Sequence, residues 1–417
     1  MLTKIELKNF KCFKDKIQFP LRQINLLTGK NGLGKSTLLQ ALLLMRQSIE
    51  YSEVTTQILL NGSCVKLGNF VDVRNSNISR DESIVLKFCL QTNINDTVYD
   101  KYIEYYLREN LDDDMVAEIS QINFCNQFNL DNNVPIKREY SKSENNNYFN
   151  INEYSNNGFQ NLGNFLLTNL IPNDSDPTLV DESFNFSHVH YISADRIGPQ
   201  EFYFKSTLNK FPNVGAKGEF TVNLLDKKRN DLVNEKLCLG NDAKTLYNQT
   251  EEWLSYVFDG AKVEISKSIS NILELLLNTD DSKDRYKPAN VGFGYHCVLP
   301  IIVSGLIARE GEILIVENPE AHLHPKAQSQ LTRFLAEVSS CGVQVFIESH
   351  SDHVLNALRI AVLDKILDTE DLNILCLQLN SEQPVVQIPV QHNGGIEEWP
   401  QGFFDQMDKD FERLFGI

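Results

Sequence analysis

Residues 24–44 read INLLTGKNGLGKSTLLQALLL, and this stretch constrains the fold more than any other part of the chain. It contains the pattern Gly29-x-x-x-x-Gly34-Lys35-Ser36, which is typical of a phosphate-binding loop. An apolar run precedes the loop as a buried strand would, and leucines recur after it at helical spacing. A strand, a glycine loop and a helix start direct backbone N–H groups and a helix dipole at one anion. The stretch therefore predicts a site for a nucleoside triphosphate, with Lys35 on the β- and γ-phosphates and the Ser36 hydroxyl on Mg²⁺.

Composition limits the class of protein. A chain of 417 residues allows two or three domains, and 42% hydrophobic residues is ordinary for a globular protein. The formal net charge of −17 argues against a dedicated DNA-coating surface. The eight cysteines include no Cys-x-x-Cys pair, and no apolar run approaches the length of roughly 18 residues that a membrane helix needs. We expect a cytoplasmic, reduced and soluble protein.

Residues 312–325, EILIVENPEAHLHP, predict a second part of the nucleotide site. Four apolar residues, Ile313 to Val316, indicate a buried strand that ends at Glu317. An acid at the end of such a strand is typical of the Walker B carboxylate, which is directed at Mg²⁺. Pro325 fits the first turn of a following helix, where its missing N–H costs nothing.

The histidines of the same segment raise the alternative of a zinc site. His322 and His324 lie near two glutamates, and imidazole and carboxylate groups both bind zinc. A His-x-His pair after a strand is a poor tetrahedral set without a further cluster of ligands. The sequence therefore favours the nucleotide interpretation over zinc chemistry.

Residues 343–353, VQVFIESHSDH, predict another buried strand, which ends at Glu348-Ser349-His350. Ligands of parallel sheets bind at the carboxyl ends of the strands. We therefore expect this strand beside the one that precedes the phosphate loop, with His350 contacting a γ-phosphate or the attacking water.

The segment Asn290-Val291-Gly292-Phe293-Gly294-Tyr295-His296 predicts a glycine-rich loop before an apolar helix over 298–307. Such a loop is a second anion-binding device. Because the chain has one phosphate loop, we expect this second device to serve the nucleotide of another subunit.

Two shorter segments leave alternatives open. Phe10 and Phe13, among lysines ahead of the phosphate loop, either contact the nucleotide or belong to the core. The apolar run 188–192 leads to Asp195-Arg196, where the arginine is either a catalytic or coupling group or part of a structural ion pair.

The middle of the chain predicts structure without chemistry. Residues 83–127 contain three runs of period-two alternation separated by turn residues, which predict an antiparallel meander. Residues 126–187 are rich in asparagine and are expected to be the least ordered or most variable part of the chain. Residues 243–259 predict an amphipathic helix.

These elements, in this order, resemble the ATP-binding-cassette (ABC) class of ATPase heads, in the branch with SMC, RecF and OLD proteins. The segments that carry the resemblance are ELKNFKCF…INLLTGKNGLGKST and ENPEAHLHP…ESHSDH. The sequence is also similar to a bacterial family of AAA-type ATPases that shares NVGFG-LP, SADRIGP and a terminal EEWPQGFFDQ. The motifs cover roughly residues 1–75, 188–225 and 286–417.

The resemblance implies a head that dimerises head to tail around two ATP molecules. On one subunit it places the nucleotide-binding residues Asn31, Gly32, Gly34, Lys35, Ser36 and Thr37. These would face Gly292 and Gly294 of the other subunit, and His350 takes the place of the switch histidine. Relatives act in DNA repair or, with a nuclease or other effector, in anti-phage defence, as in Septu-like and OLD-like systems.

One departure from this resemblance concerns hydrolysis. The usual Walker B pair is an acid followed by a glutamate that orients water, whereas this chain has Glu317-Asn318. An amide positions water without acting as a base, and Glu320 is the candidate to substitute. Together Glu317, Asn318, Glu320 and His350 are the predicted catalytic residues, with Ser36 and Glu317 as the metal ligands.

The sequence thus predicts an α/β fold of the ABC-type P-loop class, with ATP and Mg²⁺ as cofactors. Residues 1–75 and 286–417 form the two halves of the head, and 76–285 an inserted β and helical region. The predicted function is an ATPase with slow hydrolysis, a homodimer or higher oligomer that acts with a separate effector in anti-phage defence. The alternatives are a nucleotide-gated switch with little turnover and a RecF-like DNA-repair ATPase.

Overall fold

The computed structural model describes residues 1–94, 97–126, 136–143, 149–155, 158–172, 185–208, 210–240, 243–269, 271–278, 284–378, 384–400 and 403–416. The strands in chain order are β1 Leu2–Lys8, β2 Ile17–Pro20, β3 Ile24–Gly29, β4 Gln57–Leu59, β5 Ile84–Ile94, β6 Thr97–Glu109, β7 Val116–Asn126, β8 Ile136–Lys142, β9 Phe149–Ser155, β10 Gly158–Phe165, β11 Leu167–Thr168, β12 Ile171–Pro172, β13 Val189–Ile192, β14 Tyr203–Phe204, β15 Val263–Ile269, β16 Ile272–Leu277, β17 Ile313–Glu317, β18 Gln344–Glu348, β19 Leu372–Leu377 and β20 Val385–Gln387. The helices are α1 Lys35–Tyr51, α2 Phe70–Val73, α3 Thr221–Lys227, α4 Leu246–Val257, α5 Phe293–Ile307, α6 Pro325–Ser340, α7 Asp352–Leu363 and α8 Gln406–Phe415.

The chain forms two compact units. The first contains residues 1–22, 31–189 and 378–385, and the second contains 23–30, 190–377 and 386–417. The predicted three-part division at residues 75 and 285 refers to chain order and stays a prediction. Within the described residues, none of the helices combines the length and apolarity that crossing a bilayer requires.

The first unit is built on an antiparallel sheet in the order β10-β9-β8-β7-β6-β5-β1-β2, with β4 also paired to β7. Burial alternates along β6, where Ile103, Tyr105 and Leu107 are buried and their neighbours are not fully covered. This period of two produces one core face. The predicted meander over 83–127 is confirmed by β5, β6 and β7.

The asparagine-rich segment 126–187 was expected to be the least ordered or most variable part of the chain. Its described parts form β8, β9 and β10 and continue the sheet. Tyr140 is buried although it lies among polar residues. The physical reason is that a strand on a sheet needs one covered face and a paired backbone, which few apolar residues suffice to provide. Residues 127–135, 144–148, 156–157 and 173–184 of this segment lie outside the described residues.

The second unit is built on a six-stranded sheet in the order β13-β17-β18-β3-β19-β20. The pairs β17–β18, β18–β3 and β3–β19 are parallel. Their strands are almost entirely buried, as expected for a parallel sheet covered on both faces. The predicted strands that end at Glu317 and Glu348 are confirmed, and so is the position of β18 beside β3, the strand that precedes the phosphate loop.

Helices complete the core of the second unit. The amphipathic helix predicted over 243–259 is α4, and its Trp253 ring lies 4.8 Å from the Phe334 ring of α6. Helix α5 is buried nearly all round, which explains its continuous apolar sequence. The structure therefore confirms the α/β class, with a parallel sheet and helices in one unit and an antiparallel sheet in the other.

Candidate functional site

The phosphate loop connects β3 to α1, and two of its glycines are required by their surroundings. Gly29 has φ of 124°, and a Cβ there would lie 2.5 Å from the carbonyl oxygen of Leu377. Gly34 has φ of 98°, and a Cβ there would lie 2.3 Å from the Phe13 ring. Because positive φ and these close approaches both exclude a side chain, the spacing of the two glycines follows from the fold.

The other predicted residues of the loop lie at the start of α1. Lys35 is its first residue and is buried, and Thr37 is buried and donates its backbone N–H to Gly34 O at 3.1 Å. Ser36 is half-buried, and Asn31 is exposed, as is Gly32. No side chain caps this helix. An uncapped helix start after a glycine loop has the geometry of an anion-binding site.

The stretch ahead of the loop belongs to the core of the first unit. Phe10 is 1% exposed and Phe13 is 6% exposed, which decides between the two alternatives in favour of packing. Lys11 donates through Nζ to Gln40 Oε1 at 2.7 Å, and burial lowers the pKa of this lysine. These residues therefore support the loop through packing rather than through contact with a base.

Two carboxylates end neighbouring strands of the second unit. Glu317 of β17 is level with Glu348 of β18, which is level in turn with Leu27 of β3. Glu317 Oε2 accepts a hydrogen bond from the Ala194 N–H at 3.2 Å. Burial raises the pKa of Glu317, and the Ala194 N–H, the Tyr191 hydroxyl and the charge of Arg196 partly oppose the rise.

Arg196 holds the turn that follows β17. Its Nη2 donates to the carbonyl oxygen of Glu317 and, at 3.0 Å, to that of Asn318. The guanidinium is 6% exposed, and this burial lowers its pKa. Of the two alternatives for this arginine, the structure shows neither a simple ion pair nor an exposed catalytic group. It shows a buried donor to two backbone carbonyls.

Asn318 adopts a backbone conformation that most residues avoid. Its φ is 44°, in the left-handed region where asparagine is favoured over other non-glycine residues. Its N–H donates to Glu348 O at 2.8 Å, and its carbonyl accepts from the Ala321 N–H at 3.1 Å as well as from Arg196. The amide side chain makes no hydrogen bond to any residue described.

Glu320 and His350 are brought together. Glu320 Oε1 accepts the backbone N–H of His350 at 3.0 Å, while Glu320 Oε2 is buried without a hydrogen-bond donor in the described part of the chain. His350 is exposed. The carboxylate of Glu320 therefore fixes the backbone at the start of the segment that carries the histidine.

The glycine segment 290–296 differs from its prediction. The helix was expected to begin at about residue 298, but α5 begins at Phe293 with Gly292 as its N-cap. Gly294 lies inside the helix, where a Cβ would be 2.9 Å from the His322 carbonyl oxygen. The reason for the error is that Gly294 is selected by this close approach of helix to turn, not by a loop.

The two residues after Gly294 face inward. The Tyr295 ring stacks on Phe258 with centroids 4.2 Å apart. His296 is buried with Nε2 3.1 Å from the Pro288 carbonyl oxygen, and burial lowers the pKa of this histidine. Gly292 and Phe293 are the exposed residues at this helix start.

The histidines of the zinc alternative have other surroundings. His322 packs against the Phe293 ring at 4.6 Å, and His324 caps α6 by accepting the Lys326 N–H at 3.5 Å. Among the residues described, no group of three or more His, Cys, Asp or Glu side chains is arranged to hold a metal ion.

Sequence reasoning overlooked the burial of Glu348 and the carbonyl contacts of Arg196. Glu348 is 8% exposed although it is charged, and the signal was a glutamate ending an apolar strand, as Glu317 also does. The sequence around Arg196 does not indicate its hydrogen-bond acceptors, because these carbonyl groups lie 121 and 122 residues further along the chain.

Two protein-family models together match most of the chain. The family model described as "AAA ATPase domain" matches residues 1–355, and the model described as "Protein of unknown function (DUF3696)" matches residues 378–414. No curated protein sequence matches the chain. The SMC head domain from Thermotoga maritima is similar at 12% identity and a TM-score of 0.40, covering 94% of this chain and 99% of that one. An Smc head domain with an extended coiled coil, bound to the C-terminal domain of ScpA derived from Pyrococcus furiosus, has 12% identity and a TM-score of 0.42, with 99% of each chain covered.

Proposed function

The chain belongs to the AAA ATPase domain family, and on this premise we propose that it binds ATP at residues 29–37 and hydrolyses it slowly. The observation that carries the proposal is the glycine loop between β3 and α1. Gly34 in this loop has a left-handed backbone, and the helix that follows has no capping side chain. An uncapped helix start after a glycine loop is the arrangement that binds phosphate.

The proposed roles follow from the chemistry of each group. The ammonium group of Lys35 neutralises phosphate charge, and the backbone N–H groups from Asn31 to Thr37 surround the phosphates. The Ser36 hydroxyl and the Glu317 carboxylate are hard oxygen ligands of the kind that Mg²⁺ prefers, so the donor set fits this ion. When bound, Mg²⁺ offsets negative charge on the β- and γ-phosphates.

Slow hydrolysis is proposed because Asn318 stands where a water-orienting glutamate is usual. Its amide side chain accepts no proton, and its backbone is held by Glu348 and Arg196. Glu320 is not a ready substitute, since one of its oxygens holds the His350 N–H. His350, whose side chain is exposed, is proposed to contact the γ-phosphate or the attacking water.

Steady-state phosphate release tests the proposal. The wild type is expected to release phosphate from ATP in the presence of Mg²⁺, and Lys35→Ala is expected to lose this activity. Lys326→Ala is a matched control, because Lys326 also lies in the first turn of a helix but pairs with Asp259. Equal rates in the wild type and in Lys35→Ala would refute the proposal.

A second candidate function is a nucleotide-gated switch that holds ATP with little turnover. Asn318 favours it, since an amide at this position keeps ATP bound for longer than a glutamate would. Turnover of Asn318→Glu separates the two functions. A sharp rise in rate would indicate a natural protein tuned towards holding ATP, and an unchanged rate would favour the ATPase.

The partners are proposed from the sequence resemblance. We propose a head-to-tail dimer around two ATP molecules, in which the exposed Gly292 at the start of α5 faces the phosphate loop of the second copy. Gly294 is proposed to support this helix start from within. Mass measurement of Lys35→Ala and wild type with ATP tests it, and a monomer in both would exclude the dimer.

A role in anti-phage defence with a nuclease or other effector is a further part of this proposal, and so is a cytoplasmic location. An effector gene next to this one, and loss of phage resistance on deleting either, would support the role. ATPase activity stimulated by DNA, with a steep salt dependence, would instead favour a repair function.

A further inference from the structure

We propose that Glu320 is the positioning residue of His350, the carboxylate that fixes the peptide group from which this histidine projects. This inference rests on the proposed ATPase function, in which His350 contacts the γ-phosphate or the attacking water. It gives Glu320 a role different from that of a base. All the contacts that carry the inference lie within the second unit.

The peptide N–H groups of three successive residues are held after β18. The N–H of Ser349 donates to the Leu27 carbonyl oxygen at 3.1 Å, and the N–H of Ser351 donates to the Ser349 hydroxyl at 3.1 Å. Between them, the N–H of His350 donates to Glu320 Oε1 at 3.0 Å. Of these three contacts, the one at His350 is made by a side chain of the turn after β17. The position of the histidine backbone therefore depends on that turn.

The turn that carries Glu320 is itself held at several points. Its Asn318 carbonyl oxygen accepts hydrogen bonds from Arg196 at 3.0 Å and from the Ala321 N–H at 3.1 Å. The carbonyl oxygen of Glu320 accepts the Leu323 N–H, also at 3.1 Å. Precise positioning requires that the supporting residue be fixed by its own surroundings. The main chain around Glu320 meets this requirement.

Two hydrogen bonds of opposite direction join this turn to the end of β18. The Asn318 N–H donates to the Glu348 carbonyl oxygen at 2.8 Å, and the His350 N–H donates back to the Glu320 carboxylate. One hydrogen bond fixes a distance but permits rotation about it, whereas two bonds also fix the relative orientation of the segments. Glu320 thus supplies the orientation that the Asn318 contact leaves open.

The negative charge of Glu320 strengthens this contact. A hydrogen bond from a peptide N–H to a carboxylate is roughly twice as strong as one between neutral groups. Burial lowers the pKa of Arg196, and the charge of Glu320 is among the influences that oppose the fall. The buried guanidinium and the carboxylate therefore stabilise each other in their charged forms.

The test compares Glu320→Ala with Glu320→Gln. Alanine removes the acceptor of the His350 N–H, whereas glutamine keeps a carbonyl oxygen that accepts it but is no base for the attacking water. Misplacing a reacting group by about 1 Å costs up to about 100-fold in rate. Glu320→Ala is therefore expected to lower kcat at least about tenfold, with a much smaller change in KM for ATP. Glu320→Gln is expected to stay closer to the wild type than to the alanine variant.

Hydrogen exchange at the His350 amide measures the contact directly, in protein without ATP. Exchange is expected to be faster in Glu320→Ala than in the wild type, because the N–H has lost its acceptor. Glu337→Ala is the matched control, since Glu337 is another half-buried glutamate of the same unit and lies on α6 beside Arg333. This control is expected to leave the exchange and kcat unchanged.

The outcomes separate this inference from the proposed function. Wild-type kcat in Glu320→Ala, or unchanged exchange at His350, would overturn the inference and leave the ATPase function standing. Glu320→Gln as slow as Glu320→Ala would overturn it as well, because the loss would then follow the basic carboxylate and not the acceptor. Equal phosphate release by the wild type and Lys35→Ala would instead refute the ATPase function, while faster exchange in Glu320→Ala would still show the contact.

A shorter carboxylate covers the case in which the alanine variant does not fold, as judged by circular dichroism. Glu320→Asp keeps the charge but withdraws the carboxylate by one methylene from the His350 N–H. The same fall in kcat and the same faster exchange are expected. An aspartate variant with the kcat and the exchange rate of the wild type would overturn the inference.

Discussion

The backbone N–H of Asn318 donates a hydrogen bond of 2.8 Å to the carbonyl oxygen of Glu348. This bond joins the turn after β17 to the end of β18, and Asn318 reaches it in a left-handed conformation with φ of 44°. Asparagine tolerates that conformation better than glutamate does. The residue type at position 318 therefore has a structural reason.

Substitutions at Asn318 should follow backbone conformation. Asn318→Gly is expected to unfold at nearly the wild-type denaturant concentration, because glycine adopts positive φ freely. Asn318→Ala is expected to lower the free energy of unfolding by about 1 kcal/mol, the cost of a left-handed Cβ. Chemical denaturation of both variants measures the difference. An alanine variant as stable as the glycine variant would show that the turn is not constrained.

Arg196 should stabilise the protein far more than an exposed arginine does. Arg196→Met removes a charged donor from two carbonyl oxygens and is expected to cost about 3 kcal/mol of unfolding free energy. Arg333→Met is the control, because Arg333 makes an exposed ion pair with Asp364 whose loss costs less than about 1 kcal/mol. Similar losses in the two variants would mean that the carbonyl contacts contribute little.

The strongly local parts of the fold were predictable from sequence. The apolar run of β3, the glycine pattern and the leucines of α1 all encode their structure within a few residues, and so does the run that ends at Glu317. Strands β5 to β7 of the meander were also predictable, because turn residues separate them. Each of these elements depends on periodicity that a single stretch of chain contains.

The parts that were missed depend on contacts between distant residues. The start of α5 was placed five residues late because Gly294 looks like a loop residue until the His322 carbonyl is seen against it. Strands β8 to β10 were not predicted because their polar composition does not indicate strands. They are strands because they pair with their neighbours in the sheet. The position of Glu348 beside Glu317 could not be predicted, because the two residues become neighbours only through the pairing of β17 with β18.

Gly34 should be essential for reasons of space as well as of conformation. Gly34→Ala places a Cβ 2.3 Å from the Phe13 ring, so the loop must shift and ATP binding is expected to be lost. Gly311→Ala isolates the conformational part, since Gly311 has φ of 82° with no atom within 4 Å of a Cβ. Its expected cost is about 1–2 kcal/mol of stability with ATP binding intact. Both properties are measured by ATP titration and thermal unfolding.

The stability of the nucleotide-free protein should depend on pH through Glu317. Burial raises the pKa of this carboxyl in the folded state, so its contribution to stability is lost as the pH rises through that pKa. Glu317→Gln removes the buried charge. The melting temperature of the variant relative to wild type is expected to be higher at about pH 8 than at about pH 5. A difference that is constant with pH, or one of opposite sign, would contradict this.

Direct measurement of ATP binding tests the central claim that residues 29–37 hold the nucleotide. Calorimetric titration with ATP and Mg²⁺ is expected to give one bound ATP per wild-type chain. Lys35→Ala should bind at least about tenfold more weakly, since each tenfold loss in affinity corresponds to about 1.4 kcal/mol and a charge-assisted phosphate contact exceeds that. Wild type that binds no ATP, or Lys35→Ala that binds it equally well, would contradict the account.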